Sequence, residues 1–297
     1  MGLARFAMGG PNRAAIVVTL ASLLPPVFFI GGGALALVTL RRGPRAGLEV
    51  AALAAVGLLL LSWLWGLQGQ WLWILALAHG LPVWGLAWWL RATVSLASTL
   101  KLLLGAAIAL VLLSYPLLGD PRDWWQVLVA PYRDFLLGQD VGGTEGEVIA
   151  QLFELLNDVA PLAPGLFAFN AMLFAAVALL LGRAWQSTLY NPGGFRTEMR
   201  QLRLGKPLAM AAAGTFTLAL VLGSPLLTNV MMLFSLVFLL QGIALFHGLA
   251  AGLRLSPMVV VIFYLGVFFL PELVIIFGII DAWADFRARL NPRSPID

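Results

Sequence analysis

The sequence predicts an all-α polytopic membrane protein: six full transmembrane helices flanked by two Pro-broken helical hairpins, plus amphipathic helices in an acidic extracytoplasmic segment. Three observations predict it. Hydrophobic residues fill 61% of the 297 positions and the mean hydropathy is +0.94, whereas soluble domains run at about 45–50% apolar. A bilayer core about 30 Å thick needs about 20 apolar residues per helix, and run after run of that length is present. Charge is the third. Eight of the 14 acids fall together, at Asp120, Asp123, Asp134, Asp140, Glu145, Glu147, Glu154 and Asp158, in a stretch whose bases are Arg122 and Arg133. Most other bases cluster between apolar runs, as the positive-inside rule requires of cytosolic loops.

The first run, Ala14 to Leu40, is too long for one ordinary span and carries Pro25-Pro26 at its middle, with Arg5 and Arg13 before it and Arg41, Arg42 and Arg45 after it. One crossing would leave a basic cluster outside. Two short helices broken at the prolines keep both clusters inside. The run is read as a retained segment, not a cleaved signal, since no small-residue cleavage site follows.

Ala46 to Gly66 then crosses outward to Gln68-Gly69-Gln70, where Trp63, Trp65, Trp71 and Trp73 mark the interface. Trp71 to Leu90 returns to Arg91 and Lys101, and Leu102 to Leu118 crosses out. The segment 119–161 follows outside. Trp124, Trp125, Val127, Leu128 and Tyr132 suggest a first interfacial helix there. Thr144 with Glu147 has capping-box spacing, and Val148, Ile149, Leu152, Leu155, Leu156 and Val159 recur at helical intervals. Leu162 to Leu181 crosses in to a basic cytosolic loop, 183–206. Pro207 to Gly223 crosses out and Leu226 to Leu249 returns to Arg254.

The last run, Met258 to Ile280, is interrupted at Pro271-Glu272. A broken pair brings its tail, with Arg287 and Arg289, back inside. Residues 1–297 thus read as a single integral membrane domain of a bacterial cytoplasmic (inner) membrane, multi-pass, with both termini cytosolic.

Several functions are excluded or left without a motif. There is no cysteine and there are two histidines, so thiol chemistry and a thiolate or His-rich metal site are not expected. The pI near 10.0 reflects bases at helix ends, not a nucleic-acid surface. No Walker A, HExxH or GxSxG pattern occurs, so neither a catalytic residue nor a cofactor is expected. Active transport would need an ion gradient or a separate ATPase partner.

Polar residues inside apolar runs are the ligand candidates. Glu272 would bind a cation or relay a proton. Alternatively it meets water at the outer turn of the last hairpin, which this topology favours. Gln241 would hydrogen-bond a ligand or link two helices. His79 is a ligand or a satisfied core histidine. Asn170 is weaker, as is Asn229. His247 lies beside Gly248 and Gly252, whose spacing permits close helix approach. Arg196, Arg200 and Arg203 recur at i, i+4 and i+7 as a short basic amphipathic helix, suited to anionic lipid headgroups, a phosphate-bearing substrate or a cytosolic partner. Plain topological anchoring is the alternative. Asp285 and Arg289 have the spacing of a helical ion pair.

The segments Leu37-Val38-Thr39-Leu40-Arg41-Arg42-Gly43, Leu240-Gln241-Gly242-Ile243-Ala244 and Gly278-Ile279-Ile280-Asp281-Ala282-Trp283, closing on Asp285-Phe286-Arg287, resemble the YybS-like predicted membrane proteins of bacteria, a family of unknown function. The resemblance covers most of the chain. That family looks distantly similar to the substrate-binding membrane subunits of energy-coupling-factor vitamin transporters, and Arg42-Gly43-Pro44-Arg45-Ala46-Gly47 is reminiscent of a Gly-Pro turn between their early helices. The helix count and the acidic outer segment depart from those subunits. The resemblance implies no catalytic residue.

Three functions compete. The first is a non-enzymatic transporter-like protein binding a small solute or lipid-like molecule among its broken helices. The second is a membrane scaffold or assembly factor docking partners on its basic loop or acidic helices. The third, a lipid-active enzyme, needs acids and bases within hydrogen-bond reach, which the predicted topology mostly separates.

Overall fold

The computed structural model describes residues 2–24, 27–64, 70–138 and 143–290, the side chains of 70–79 and 290 excepted. Among these residues the structure is helical with no strand. The helices are α1 (Gly2–Met8), α2 (Pro11–Ser22), α3 (Phe28–Arg42), α4 (Pro44–Leu64), α5 (Gln70–Thr93), α6 (Leu96–Leu118), α7 (Pro121–Leu137), α8 (Thr144–Asp158), α9 (Ala163–Tyr190), α10 (Gly194–Arg200), α11 (Lys206–Leu222), α12 (Pro225–Gly252), α13 (Pro257–Phe269), α14 (Pro271–Ala284) and α15 (Phe286–Leu290).

Among the described residues, four helical stretches are long and apolar enough to cross a membrane: Pro44–Leu64, Leu96–Leu118, Ala160–Tyr190 and Pro225–Gly252. Counting α13 and α14 as one span makes five, although that pair is bent by 105°. The apolar helix α11 has 17 residues, about 25 Å at 1.5 Å per residue, just short of the bilayer core. Exposed surface agrees with a lipid environment. Leu220, Val221 and Leu222 of α11 and Phe268 and Phe269 of α13 are all largely uncovered, an apolar display that water would penalise.

The chain forms two compact units. The first comprises Met1–Leu103, Ala171–Gly205 and Phe238–Asp297; the second, Leu104–Asn170 and Lys206–Val237. Helix α3 is the core of the first unit. It is buried almost throughout from Gly31 to Leu40 and packs on α2, α4 and α5. Glycines on both helices let α9 approach it. A Cβ at Gly182 would fall 2.6 Å from the Ala36 Cβ and 2.8 Å from the Gly33 carbonyl oxygen, closer than packed atoms tolerate. The C-terminal carbonyls of α3 would otherwise be orphaned. The Arg91 guanidinium donates to the Leu40 and Arg41 oxygens, and the Arg42 guanidinium donates to the Met8 oxygen. Pro25 and Pro26, expected to break the first run, lie outside the described residues; α2 ends at Ser22 and α3 begins at Phe28.

In the same unit α12 and α14 cross with almost no side chain between them. A Cβ on Gly242 would lie 2.2 Å from the Val274 oxygen, and one on Gly278 would lie 2.3 Å from the Phe238 oxygen. Helix α13 buries no residue. It is held by the stacked rings of Phe246 and Phe263, 3.7 Å apart, and by a 2.8 Å hydrogen bond between His247 Nε2 and the Tyr264 hydroxyl.

The second unit contains the acidic segment. Asp120 caps α7 by accepting from the Arg122 N–H at 2.8 Å. Helix α8 forms as expected, but the capping box does not. Gly143 is the N-cap, at φ 68°, and Thr144 is already inside the helix. Glycine reaches that left-handed backbone without a Cβ penalty, so the cap shifts one residue upstream. The two helices pack together, and the Gln126 amide donates to Asn157 at 2.8 Å.

Candidate functional site: a basic cleft beside an aromatic groove

Gln241 is 1% exposed, and both polar atoms of its amide are hydrogen-bonded. Its Oε1 accepts from the Leu204 N–H at 2.7 Å, and its Nε2 donates to the Gly278 oxygen at 2.7 Å. The amide therefore ties α12 to α14 and to the chain just before α11. Glu272 stands exposed in the first turn of α14, where a negative charge meets the positive end of the helix dipole. Asn170 is exposed on α9. The side chain of His79 lies outside the described residues. Gln241 and Glu272 therefore lie in different surroundings, one buried and one exposed.

Asn229 carries more than its sequence context suggests. It is fully buried in the second unit, accepts from the Gly165 N–H at 3.2 Å, and donates to the Tyr115 hydroxyl at 3.2 Å and the Pro161 oxygen at 3.0 Å. A Cβ at Gly165 would clash with it at 2.5 Å.

The three arginines do not share one helix. Helix α10 ends at Arg200, and residues 202–205 run without helical structure to Gly205, at φ 89°. Buried Leu202 and Leu204 anchor that stretch, which turns Arg203 away from the α10 face. Arg196 is exposed. Arg203 forks onto Asp285, with bonds of 2.7 and 3.0 Å. Asp285 thus pairs with Arg203 and not with Arg289 as its spacing predicts, because it caps α14 in a left-handed conformation at φ 44° that breaks the helical register.

Beneath this pair Asp281, 4% exposed, meets Arg287 at 3.2 Å, and Arg287 also donates to the Leu202 oxygen at 3.0 Å. The Arg203 hydrogen bonds hold the Asp285 carboxyl below the usual carboxylate range. Burial pulls Arg287 below its ordinary value, against the raising influence of Asp281.

These residues surround a cleft of about 710 Å³, lined by Thr197, Arg200, Arg203, Gly248, Asp285 and Arg287 among others. Gly248 gives the clearance: a Cβ there would sit 3.3 Å from the Arg200 oxygen. Arg203 and Arg287 each have a carboxylate partner; Arg200 makes no ion pair among the described residues. The Nε atoms of Arg200 and Arg287 are buried without a hydrogen-bond partner. Next to the cleft is an apolar groove of about 300 Å³, lined by Leu245, Phe246, Leu249, Phe263, Phe277 and Phe286 among others. Leu249 belongs to both.

Sequence reasoning missed Asp281 and Arg287 as a pair. The available signal was an acid in the last apolar turn with a base six residues on, a separation that α-helical pairing rules do not flag. No group of three or more His, Cys, Asp or Glu side chains able to hold a metal occurs among the described residues.

Comparison with known proteins finds no matching family model, no matching curated protein and no matching solved structure.

Proposed function

We propose that this chain is a non-enzymatic, transporter-like protein of a bacterial inner membrane that binds an anionic small solute or lipid-like molecule in the basic cleft. The uncompensated charge of Arg200 carries the reading. Arg200, Arg203, Arg287 and Asp285 line the cleft, and Asp281 pairs with Arg287 beneath it, so Arg200 is the one guanidinium of the three left for a ligand. An anion there would meet charge-assisted donors already held in place. Membership of the YybS-like group is part of the same proposal. Its segments around Gln241-Gly242 and Gly278 to Arg287 meet at the α12–α14 crossing and at this cleft.

The proposed topology keeps six full spans, two Pro-broken helical hairpins and cytosolic termini. Its support at the C-terminal end is that Gly252, closing α12, and Asp285, closing α14, line one cleft. That shared cleft supports a path through α13 and α14 that leaves and returns on one side, as a re-entrant pair does.

A scaffold or assembly role is the second reading. It is favoured by the hydrogen bonding of both amide atoms of Gln241 to the backbone, and by the uncovered apolar residues Val127 and Tyr132 of α7 and Val148 and Leu155 of α8.

Native mass spectrometry of protein released from a mild detergent extract tests both. The expected result is an acidic small-molecule adduct that is lost in Arg200→Gln. A stoichiometric partner chain with no adduct would favour the scaffold. Bare protein would remove the ligand-binding claim.

A further inference from the structure

The cleft and the groove are chemically opposite and share a wall. One side offers Arg200 with an uncompensated charge, plus Arg203 and Arg287. The other offers four phenylalanine rings, two of them stacked at 3.7 Å and two at 6.4 Å. Leu249 faces both spaces, and Phe286 of the groove directly precedes Arg287 of the cleft.

A small hydrophilic anion would use only the first space. A neutral hydrocarbon would use only the second. A molecule with an anionic head and an apolar tail uses both.

Two observations suit the cleft to an anion. The buried Nε donors of Arg200 and Arg287 lack acceptors, and a buried donor without a partner is costly unless something supplies one. A phosphate diester carries one negative charge, which matches the one positive charge left over, and its oxygens suit guanidinium geometry.

The groove argues for a tail held along protein instead of a headgroup resting on the surface. It lies between α12, α13, α14 and α15, of which α12 and α15 also line the basic cleft, and α13 is attached there by its aromatic contacts and the His247–Tyr264 hydrogen bond. A helix that buries no residue of its own can yield to a chain sliding beneath it.

Resting on the anion-binding reading above, we propose that cleft and groove together form one site for an anionic phospholipid. Its phosphate meets Arg200 and its hydrocarbon chain lies along Phe246, Phe263, Phe277 and Phe286.

The test titrates the full-length protein in a neutral detergent with three probes: dioctanoyl phosphatidylglycerol, dioctanoyl phosphatidylcholine and glycerol phosphate. Phosphatidylglycerol is expected to bind at least about tenfold more tightly than glycerol phosphate, because tail methylenes leave water. It is also expected to bind at least about tenfold more tightly than phosphatidylcholine, whose cationic choline opposes Arg200. Arg200→Gln should weaken phosphatidylglycerol about tenfold. Phe263→Ala should weaken phosphatidylglycerol while leaving glycerol phosphate unchanged. Both variants are first shown to melt as the parent does without ligand.

Equal affinity for phosphatidylglycerol and glycerol phosphate would overturn the lipid assignment and leave the anion site standing. Equal affinity for the two lipids would overturn the role of Arg200. Binding of none of the three would overturn this proposal and the anion-binding reading together.

Discussion

A buried neutral amide brings an oxygen and a nitrogen that each need a partner, and Gln241 and Asn229 supply both by joining backbone segments far apart in sequence. Neither environment can be read from the residue type, since the partners, all but the Tyr115 hydroxyl, are main-chain groups that any residue could supply. The Gln241 contact has a measurable consequence. Gln241→Leu keeps the volume but strips the Leu204 N–H of its buried acceptor, so unfolding stability in detergent should fall by about 1–3 kcal/mol. An unchanged melting curve would mean that Leu204 finds water or another acceptor.

Asp285 supplies a pH test at the same scale. Its carboxyl is held low mainly by the Arg203 hydrogen bonds. A carboxylate with a depressed folded pKa contributes stability that is present above its unfolded pKa, about 3.9, and is lost as pH falls through the lower folded value. Asp285→Asn isolates the charge, because Asn tolerates the left-handed backbone at φ 44°. The parent should melt higher than Asp285→Asn at pH 7, and the difference should close in acid below about pH 4. A gap that persists at acid pH would trace the stability to shape alone.

At the scale of elements, hydropathy marks every long apolar helix, because lipid demands the same length and composition wherever a helix stands. It does not resolve ends and breaks. The α10 terminus at Arg200 depends on where Leu202 and Leu204 are buried, and the α8 cap depends on one glycine's φ. The basic site was half legible. Arg200 and Arg203 stand out by charge, but their division into one paired and one spare guanidinium depends on Asp285 arriving from a helix 82 residues later in the chain. The break at Pro271 was legible, since proline removes a donor wherever it falls. The 105° bend was not, because it is set by α14 docking on α12 through Gly242 and Gly278.

Taken whole, the chain offers a direct check of sidedness, helped by the absence of native cysteine. Arg203 with Asp285 and Arg287 with Leu202 place the 183–206 loop and α15 on one face of the first unit. Single cysteines at Thr197 and Arg289 should therefore behave alike, both shielded from a membrane-impermeant maleimide in intact cells. A cysteine at Glu145 should label. Opposite behaviour of the Thr197 and Arg289 sites would turn the α13–α14 pair into a true span and remove one of the proposed hairpins.

The glycine crossing of α12 and α14 also sets a timetable. Helices α13 and α14 have 13 and 14 residues, about 20 Å each, so neither alone spans a core of about 30 Å. Because α14 is synthesised after α12, the Gln241 amide waits in the bilayer without its Gly278 partner until translation has passed that point. An unsatisfied amide among lipid tails is a defect until then. A chain cut short before Gly278 should therefore keep that donor unmet, while a finished chain covers it.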